Sequence, residues 1–419
     1  MYVTYLRKEC DVLMQELTFP PNWKTRPAPI RDQSEFTISV NELNSFQRCR
    51  RQWEITSASQ ASLHRKGMPL PQFHQGSAVH FAMASQALGG DPLSAALIYY
   101  QHAVDELNEQ WEKTIGTGLG YDELQLLGEQ RDQVLGMVRA YVARYGKRNP
   151  TKPYRIVAPE VTFKIPLVPD YDIYLVGTID RIHVDQFGNP IPGEIKTYKS
   201  KPDRKKWRFN HQLYGYAAAL QVLTGKPVPF GLYDGLRKKA PLTPKILQSG
   251  EVSVAWIDTT YDIYKEVLLE VYGGDKSVLV SKRYGDLLSR LKARDLSSES
   301  AFHSRFRVPI SQHAIEMWWD QAQVIGMEMA HSPIIYPHFT WQGCPDCRVT
   351  DICGAIQNGD DLGPFLDEYD YGLTHTRQAS TIATPDTVKS IKDLEAFARH
   401  MDPDSPFDTG KVKENSEES

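Results

Sequence analysis

Between Tyr154 and Lys199 the chain changes from helix-forming to strand-forming composition, and no other segment limits the fold so tightly. Val, Ile, Tyr and Thr crowd this stretch, punctuated by Pro and Gly. β-branched and aromatic residues suit a pleated, half-buried surface, so three strands are expected, over 157–165, 172–184 and 191–198. Asp185-Gln-Phe-Gly-Asn-Pro190 joins the last two and has hairpin-turn composition. Side chains in a strand alternate faces, so Glu194 and Lys196 point the same way. If the two strands pair, Asp180 shares that face. Two carboxylates and an ammonium then meet on one side of a hairpin.

The flanks read as helical. Ser39-Val-Asn-Glu42 is a capping-box pattern, followed by Leu43, Phe46 and Trp53 at helical spacing, with Cys49 on the same helix. A second helix begins near Gly76 and carries His80, and helical patterns fill 92–145. Beyond the hairpin, helix is expected over 207–223, 259–293 and 311–332, with short strands at 229–235 and 252–258. That order predicts an α/β domain with one mixed central sheet flanked by helices. It spans 35–357, with 92–150 as a helical insertion. Pro20, Pro21, Pro27 and Pro29 make 1–34 an extended arm. Residues 358–419 read as a polar, flexible tail, in which Val388, Ile391, Leu394 and Phe397 have the spacing of a short amphipathic helix.

A hydrophobic fraction of 41% over 419 residues is ample for a core. The formal net charge of -4 excludes a globally basic protein, so any nucleic-acid contact must come from a local patch. No apolar run approaches the ~20 residues that span a bilayer, and Met1–Met14 lacks a signal-peptide core. These features predict a cytoplasmic protein without a membrane partner. Five cysteines do not pair evenly, and Cys10 reads as a small buried hydrophobe. The other four need a different account.

Paired carboxylates favour a hard cation such as Mg²⁺ or Mn²⁺, which suits phosphodiester hydrolysis. Lys196 would orient water or stabilise charge on the phosphate. Taken alone, the same residues describe a surface strand with an ordinary Glu–Lys pair. Glu160 on the preceding strand and His80 upstream enlarge the candidate site. Gln212 and Tyr216 stand one helical turn apart and share a face.

Cys344, Cys347 and Cys353 have C-x₂-C-x₅-C spacing, and Cys49 is the obvious fourth thiolate. The spacing leaves Zn²⁺ and an iron–sulfur cluster both open. After Lys196 come Lys199, Lys201, Arg204, Lys205, Lys206 and Arg208, with Trp207 among them. The run reads either as a solvated face or as a phosphate-binding patch with an aromatic to stack on a base. Arg48, Arg50 and Arg51 form a second cluster that would face phosphate.

Gly76…His80, Gly177-Thr-Ile-Asp180, Glu194-Ile-Lys196 and Gln212…Tyr216 occur in the order found in RecB-like nucleases of the PD-(D/E)XK superfamily, which the chain resembles over about 36–356. The resemblance implies a restriction-endonuclease-like core. It implies His80, Asp180 and Glu194 as metal ligands, with the Ile195 carbonyl as a further one. Lys196 would be the catalytic lysine, Gln212 and Tyr216 supporting residues, and Glu160 an auxiliary acid. Ile179 stands where the superfamily name puts Pro. The cysteine set resembles the [4Fe–4S] clip of AddB-type and CRISPR-associated adaptation nucleases, with zinc as the alternative, and the overall shape resembles that of phage-encoded proteins as well. A viral protein would work in the host cytoplasm. No G-x-x-x-x-G-K-[ST] loop is present, so any helicase or recombination protein would be a separate partner. The implied function is a metal-dependent DNA exonuclease of recombination, repair or end processing. Its rivals are an inactive DNA-binding scaffold of a helicase–nuclease complex and a zinc-stabilised interaction protein.

Overall fold

A computed structural model describes residues 35–401, apart from 58–62, 66–73, 116–118, 147–152, 297–300, 333–334, 340–342, 346, 348, 362–363, 365–368, 372–381 and 400. The expected arm at 1–34, Cys10 within it, and the last residues of the expected tail lie outside this set, as does the side chain of Phe397.

A short strand, β1 (Phe36–Ser39), runs straight into α1 (Val40–Arg48). The capping box is present: the Glu42 amide donates to Ser39 Oγ at 3.1 Å and the Ser39 amide to Glu42 Oε2 at 2.9 Å. α2 (Arg50–Thr56) follows, then β2 (Leu63–Arg65) and three long helices, α3 (His74–Leu88), α4 (Pro92–Ile115) and α5 (Tyr121–Tyr145). The strand-rich stretch gives β3 (Arg155–Val168), β4 (Ile173–Val184) and β5 (Pro190–Tyr198). Their hairpin turn forms because Asp185 Oδ1 accepts from the amides of Phe187 and Asn189 at 2.8 and 2.9 Å.

A single turn, α6 (Arg204–Trp207), precedes α7 (His211–Thr224), which Asn210 caps. The expected single helix over 207–223 therefore begins as two pieces. β6 (Phe230–Arg237) is followed by no strand at 252–258; Val252 makes only an isolated bridge to Ile246. The expected helical stretch over 259–293 holds α8 (Tyr261–Val271) and α9 (Gly285–Leu296), and Gly273 and Gly274 take positive φ between them. β7 (His303–Pro309), α10 (Gln312–His331), α11 (Thr350–Asn358), β8 (Tyr369–Tyr371) and α12 (Ile391–Arg399) complete the described elements.

The main sheet has the order β1-β4-β5-β6-β7, with β3 antiparallel to β4 along its other edge. β1–β4 and β5–β6 are parallel and the remaining pairs antiparallel, so the sheet is mixed as expected. The largest core joins this sheet to α1, α7 and α10, while α3, α4 and α5 pack on a separate cluster that includes Ile195 and Leu236. β2 and β8 pair in a small sheet of their own.

Part of the expected tail is packed. Ala383, Val388, Ile391 and Leu394 belong to the main core, Ala383 bridges Phe163, and Arg155 pairs with Glu395 at 2.6 Å. A few apolar side chains spaced among polar ones are enough to dock this segment on β3, although its composition is that of a tail. Among the described residues, no helix is long and apolar enough to cross a membrane.

Candidate active site

The site begins with a gap in the sheet. Along one edge, β4 pairs with β1 only over Ile173–Val176 and with β5 only over Arg181–Val184. Gly177 to Asp180 are left between them. β1 ends there as α1 turns away, and β5 leaves for β6. The Ile195 amide, released from β4, donates to Asp180 Oδ2 at 2.7 Å. A cleft of about 510 Å³ fills the gap, walled by Ser39, Gly76, His80, Glu160, Asp180, Lys196, Gln212 and Tyr216 among others.

Register places acids in a row across this gap. Pro159–Arg181 and Val161–Ile179 are cross-strand pairs, so Glu160 lies opposite Asp180. Arg181–Gly193 is the last β4–β5 pair, so Glu194 would be the next residue opposite Asp180. Like charges opposed across strands are destabilising. Glu160 also holds a φ of 46°, which is uncommon for a residue with a side chain. From α3, the His80 Nδ1 approaches Glu160 Oε1 at 3.3 Å and Asp180 Oδ1 at 3.5 Å. His80, Glu160 and Asp180 each offer a ligand atom, all within 4.8 Å of one another.

The electrostatics follow from burial and crowding. Burial alone would lower the His80 imidazole, but Asp180 and Glu160 outweigh it and raise it to about 9. Burial raises Asp180, and Glu160 adds to the shift against His80 and Lys196. Glu194 is fully buried, and burial with the help of Asp180 pushes it up to about 8. Its carboxylate is ion-paired with the Lys196 ammonium, which Glu194 and Asp180 raise despite the opposing effect of burial. Glu194 thus lies behind the cleft wall, while Lys196 is on it. Gln212 Nε2 donates to the Tyr216 hydroxyl at 2.7 Å, and both line the cleft from α7. Burial raises Tyr216 well above the usual phenol range, so it stays a donor.

The reverse face of the same strands carries a network that sequence reasoning missed. Asp234 Oδ2 accepts from the Tyr141 hydroxyl and from Arg305 Nη2, both at 2.6 Å. Arg181 Nη1 donates to the Tyr141 hydroxyl at 3.0 Å and lies 3.6 Å from Asp234 Oδ2. Burial would raise Asp234, but Arg305 and Arg181 overcome it and hold the carboxyl below its usual range. Arg181 follows Asp180 in sequence and Asp234 is the β6 partner of Ile195, so the strand pleat alone separates network from cleft.

The two basic clusters fare differently. Lys199, Lys201, Arg204, Lys205, Lys206 and Arg208 are all exposed. Trp207 is not offered to a ligand: it packs on Tyr233 with ring centroids 4.3 Å apart and joins the main core. Phe209, two residues on, is 77% exposed. In the second cluster, Arg50 donates to Glu328 Oε1 at 2.7 Å and lies over the Phe46 and Tyr336 rings. Arg51 bonds Glu54 and the Ile335 carbonyl at 2.7 and 2.8 Å. Those two arginines fasten α2 to the segment around α10 instead of facing phosphate, whereas Arg48 is exposed and bonds Gln52 at 3.0 Å.

Cys49 ends α1, and Cys353 lies on α11. Burial raises the Cys353 thiol, and Cys49, Cys347 and Cys344 push it the same way against Arg51. Cys49 and the three later cysteines are far apart in sequence, yet Cys49, Cys344 and Cys347 all lie near enough to act on Cys353, and Cys347 and Cys353 pack against Ile55, Val349 and Ile352.

A family model described as "PD-(D/E)XK nuclease superfamily" matches residues 37–354. The chain belongs to the PD-(D/E)XK nuclease superfamily. In this superfamily member the match runs from β1 into α11, so it takes in the cleft, its row of acids and all four cysteines. A solved structure, "Crystal structure of SSO0001", is similar at 13% identity, covering 85% of this chain and 97% of that one, with a TM-score of 0.28. No curated protein matches.

Proposed function

We propose that this protein is a Mg²⁺- or Mn²⁺-dependent deoxyribonuclease, an exonuclease acting in recombination, repair or DNA end processing. The observation that carries the reading is the crowding of Glu160, Asp180 and His80 within 4.8 Å, with Asp180 pushed up and the imidazole held up by the carboxylates that face it. Two carboxylates and an imidazole suit either metal, and a divalent cation supplies the positive charge that the cluster lacks.

His80, Glu160 and Asp180 would hold the metal, which when bound neutralises phosphate and acidifies water. The N–H and C=O of one strand residue point to the same edge, and the Ile195 N–H points to Asp180. The Ile195 carbonyl is thereby aimed at the same edge and is a candidate further ligand. Lys196 keeps its proton beside Glu194 and presents N–H donors to the attacked phosphate from the cleft wall. Gln212 and Tyr216 offer further donors from α7. Lys199, Lys201, Arg204, Lys205, Lys206 and Arg208 would neutralise the DNA backbone. A separate helicase or recombination protein would be the natural partner of such a nuclease.

We read Cys49, Cys344, Cys347 and Cys353 as ligands of a [4Fe–4S] cluster, in the manner of RecB-like nucleases. Four thiols of shared location support this, and such a clip would close a loop of roughly 300 residues. Visible absorption and iron content of anaerobically purified protein separate the cluster from zinc.

A second reading, a DNA-binding subunit that does not cut, is favoured by one observation: Glu194 is sealed from the cleft and tied to Lys196. End-labelled single- and double-stranded DNA with Mg²⁺ or Mn²⁺ decides between the two. Cleavage that Lys196→Ala and Asp180→Asn abolish is the expected result. Binding without cleavage under either metal would move the protein to the second reading.

A further inference from the structure

Both ends of the segment 199–210 are fixed at the cleft. Thr197 just before it and Gln212 just after it line the cleft wall. Phe209 stands three residues before Gln212, so the chain itself keeps it within about 11 Å of the cleft wall. The backbone of the segment is ordered: the amides of Lys206, Arg208, Phe209 and Asn210 donate to the carbonyls of Asp203, Lys205, Lys206 and Trp207 at 3.1 to 3.3 Å. Trp207 anchors the turn inward on Tyr233, which stacks in turn on Phe306 at 4.7 Å. The Tyr214 hydroxyl donates to the Arg208 carbonyl and pins the far end. Phe209 directly follows these two anchored residues, with 77% of its surface exposed.

A single exposed apolar side chain is ordinary. This one is held on a fixed turn among exposed cations. Lys199, Lys201, Arg204, Lys205, Lys206 and Arg208 surround it in sequence, and the amide-capping Asp203 is the one acid in the segment. Lys238 adds to the charge: its amide donates to the Tyr198 carbonyl at 2.8 Å, which sets it beside Lys199. Among the described residues, none of the six cations of the segment forms an ion pair. Clustered cations around a bare aromatic face match a polyanion whose bases are unpaired, because a stacked duplex offers the aromatic ring no base face.

We propose that Phe209 is a stacking platform for an unpaired nucleobase at the cleft rim, and that it makes single-stranded DNA the preferred occupant of this site. The proposal rests on the nuclease reading for the identity of the chain but not for its test. Phosphates flanking the stacked base would lie along the exposed lysines and arginines, leading the strand toward the gap between β4 and β5. Phe209 is a binding residue here and takes no part in bond breaking.

Fluorescence anisotropy in EDTA, with a labelled oligothymidylate and a blunt duplex of equal length, measures binding without cleavage. Phe209→Ala is expected to lower the ratio of single-strand to duplex affinity by about tenfold, the scale of one base stack. Phe209→Tyr should restore it, and Phe209→Leu, which keeps apolar bulk without a π-face, should not. Equal loss on both DNAs, no loss, or full function of the Leu variant would overturn the proposal. If the ratio depends on Phe209 and added Mg²⁺ or Mn²⁺ gives no cleavage, the stacking site stands and the nuclease reading fails. If cleavage occurs and the ratio does not depend on Phe209, the nuclease reading stands and the stacking site fails.

Discussion

The two faces of one sheet bury carboxylates in opposite ways. On the reverse face, Asp234 meets two guanidinium groups and a phenol, and its carboxyl is held below its ordinary range. On the cleft face, Asp180 stands opposite one acid and next in line to another, with one imidazole and one lysine to share, and its carboxyl is raised. Asp180 and Asp234 are both buried, so solvent exposure does not account for the difference. The reverse face is neutralised by the chain itself. The cleft face is left short of positive charge, which is the condition of a site built to receive a cation.

Removing an acid from each face should break this symmetry in opposite directions. Asp234→Ala strands two guanidinium groups and is expected to cost about 3–5 kcal/mol in urea unfolding. A cost under about 1 kcal/mol would mean that the network is ornamental. Asp180→Asn should instead reduce metal-dependent DNA cleavage by about a hundredfold or more. Its unfolding midpoint should stay level or rise, because the variant relieves like-charge crowding. Marked destabilisation would show that Asp180 is structural in the way Asp234 is.

Acid sharpens the contrast by a smaller amount. Burial lowers His183 to about 3 and His303 to about 4, both beneath the reverse face. An unfolded chain binds protons at these positions as pH falls below about 6.5, and the native chain does not. Stability should therefore decline from there downward, by up to about 1.4 kcal/mol per pH unit for each histidine. Asp234 adds a further loss at lower pH, since a depressed carboxyl stabilises above its unfolded pKa and ceases to as pH falls through its folded value. His183→Asn should flatten the upper part of this decline; an unchanged slope in urea titrations from pH 7 to 5 would contradict the assignment.

Much of the cleft was legible because strand periodicity is local. Asp180 and Lys196 follow from a hairpin whose turn chemistry Asp185 announces, whereas Glu194, expected beside them, lies behind the wall they share. Glu160 was visible only as a neighbour, since its register opposite Asp180 is a tertiary fact. β1 was missed because four residues are too few to show a pattern, and its parallel pairing to β4 joins segments more than a hundred residues apart. β7 was missed because it opens on His303 and Ser304, polar residues that the structure buries, and a buried polar residue looks like a surface one in sequence. The same blindness hid the network of Asp234. Trp207 and Phe209 were exchanged for a related reason: the larger aromatic drew notice, but exposure depends on which side of a turn meets the sheet. The packed segment from Ala383 to Arg399 was obscured by a polar composition that leaves few positions to meet the core.

Thermal unfolding under increasing Mn²⁺, for the wild type and Asp180→Asn, tests the central claim most directly. A cation that binds the cleft of the folded chain should raise the wild-type midpoint with concentration, by roughly 2–3 kcal/mol of added stability at a hundred times the dissociation constant. Asp180→Asn should lose most of that dependence. A wild-type midpoint indifferent to Mn²⁺ and Mg²⁺, or a variant that responds as fully as the wild type, would contradict the reading of the cleft as a divalent-cation site.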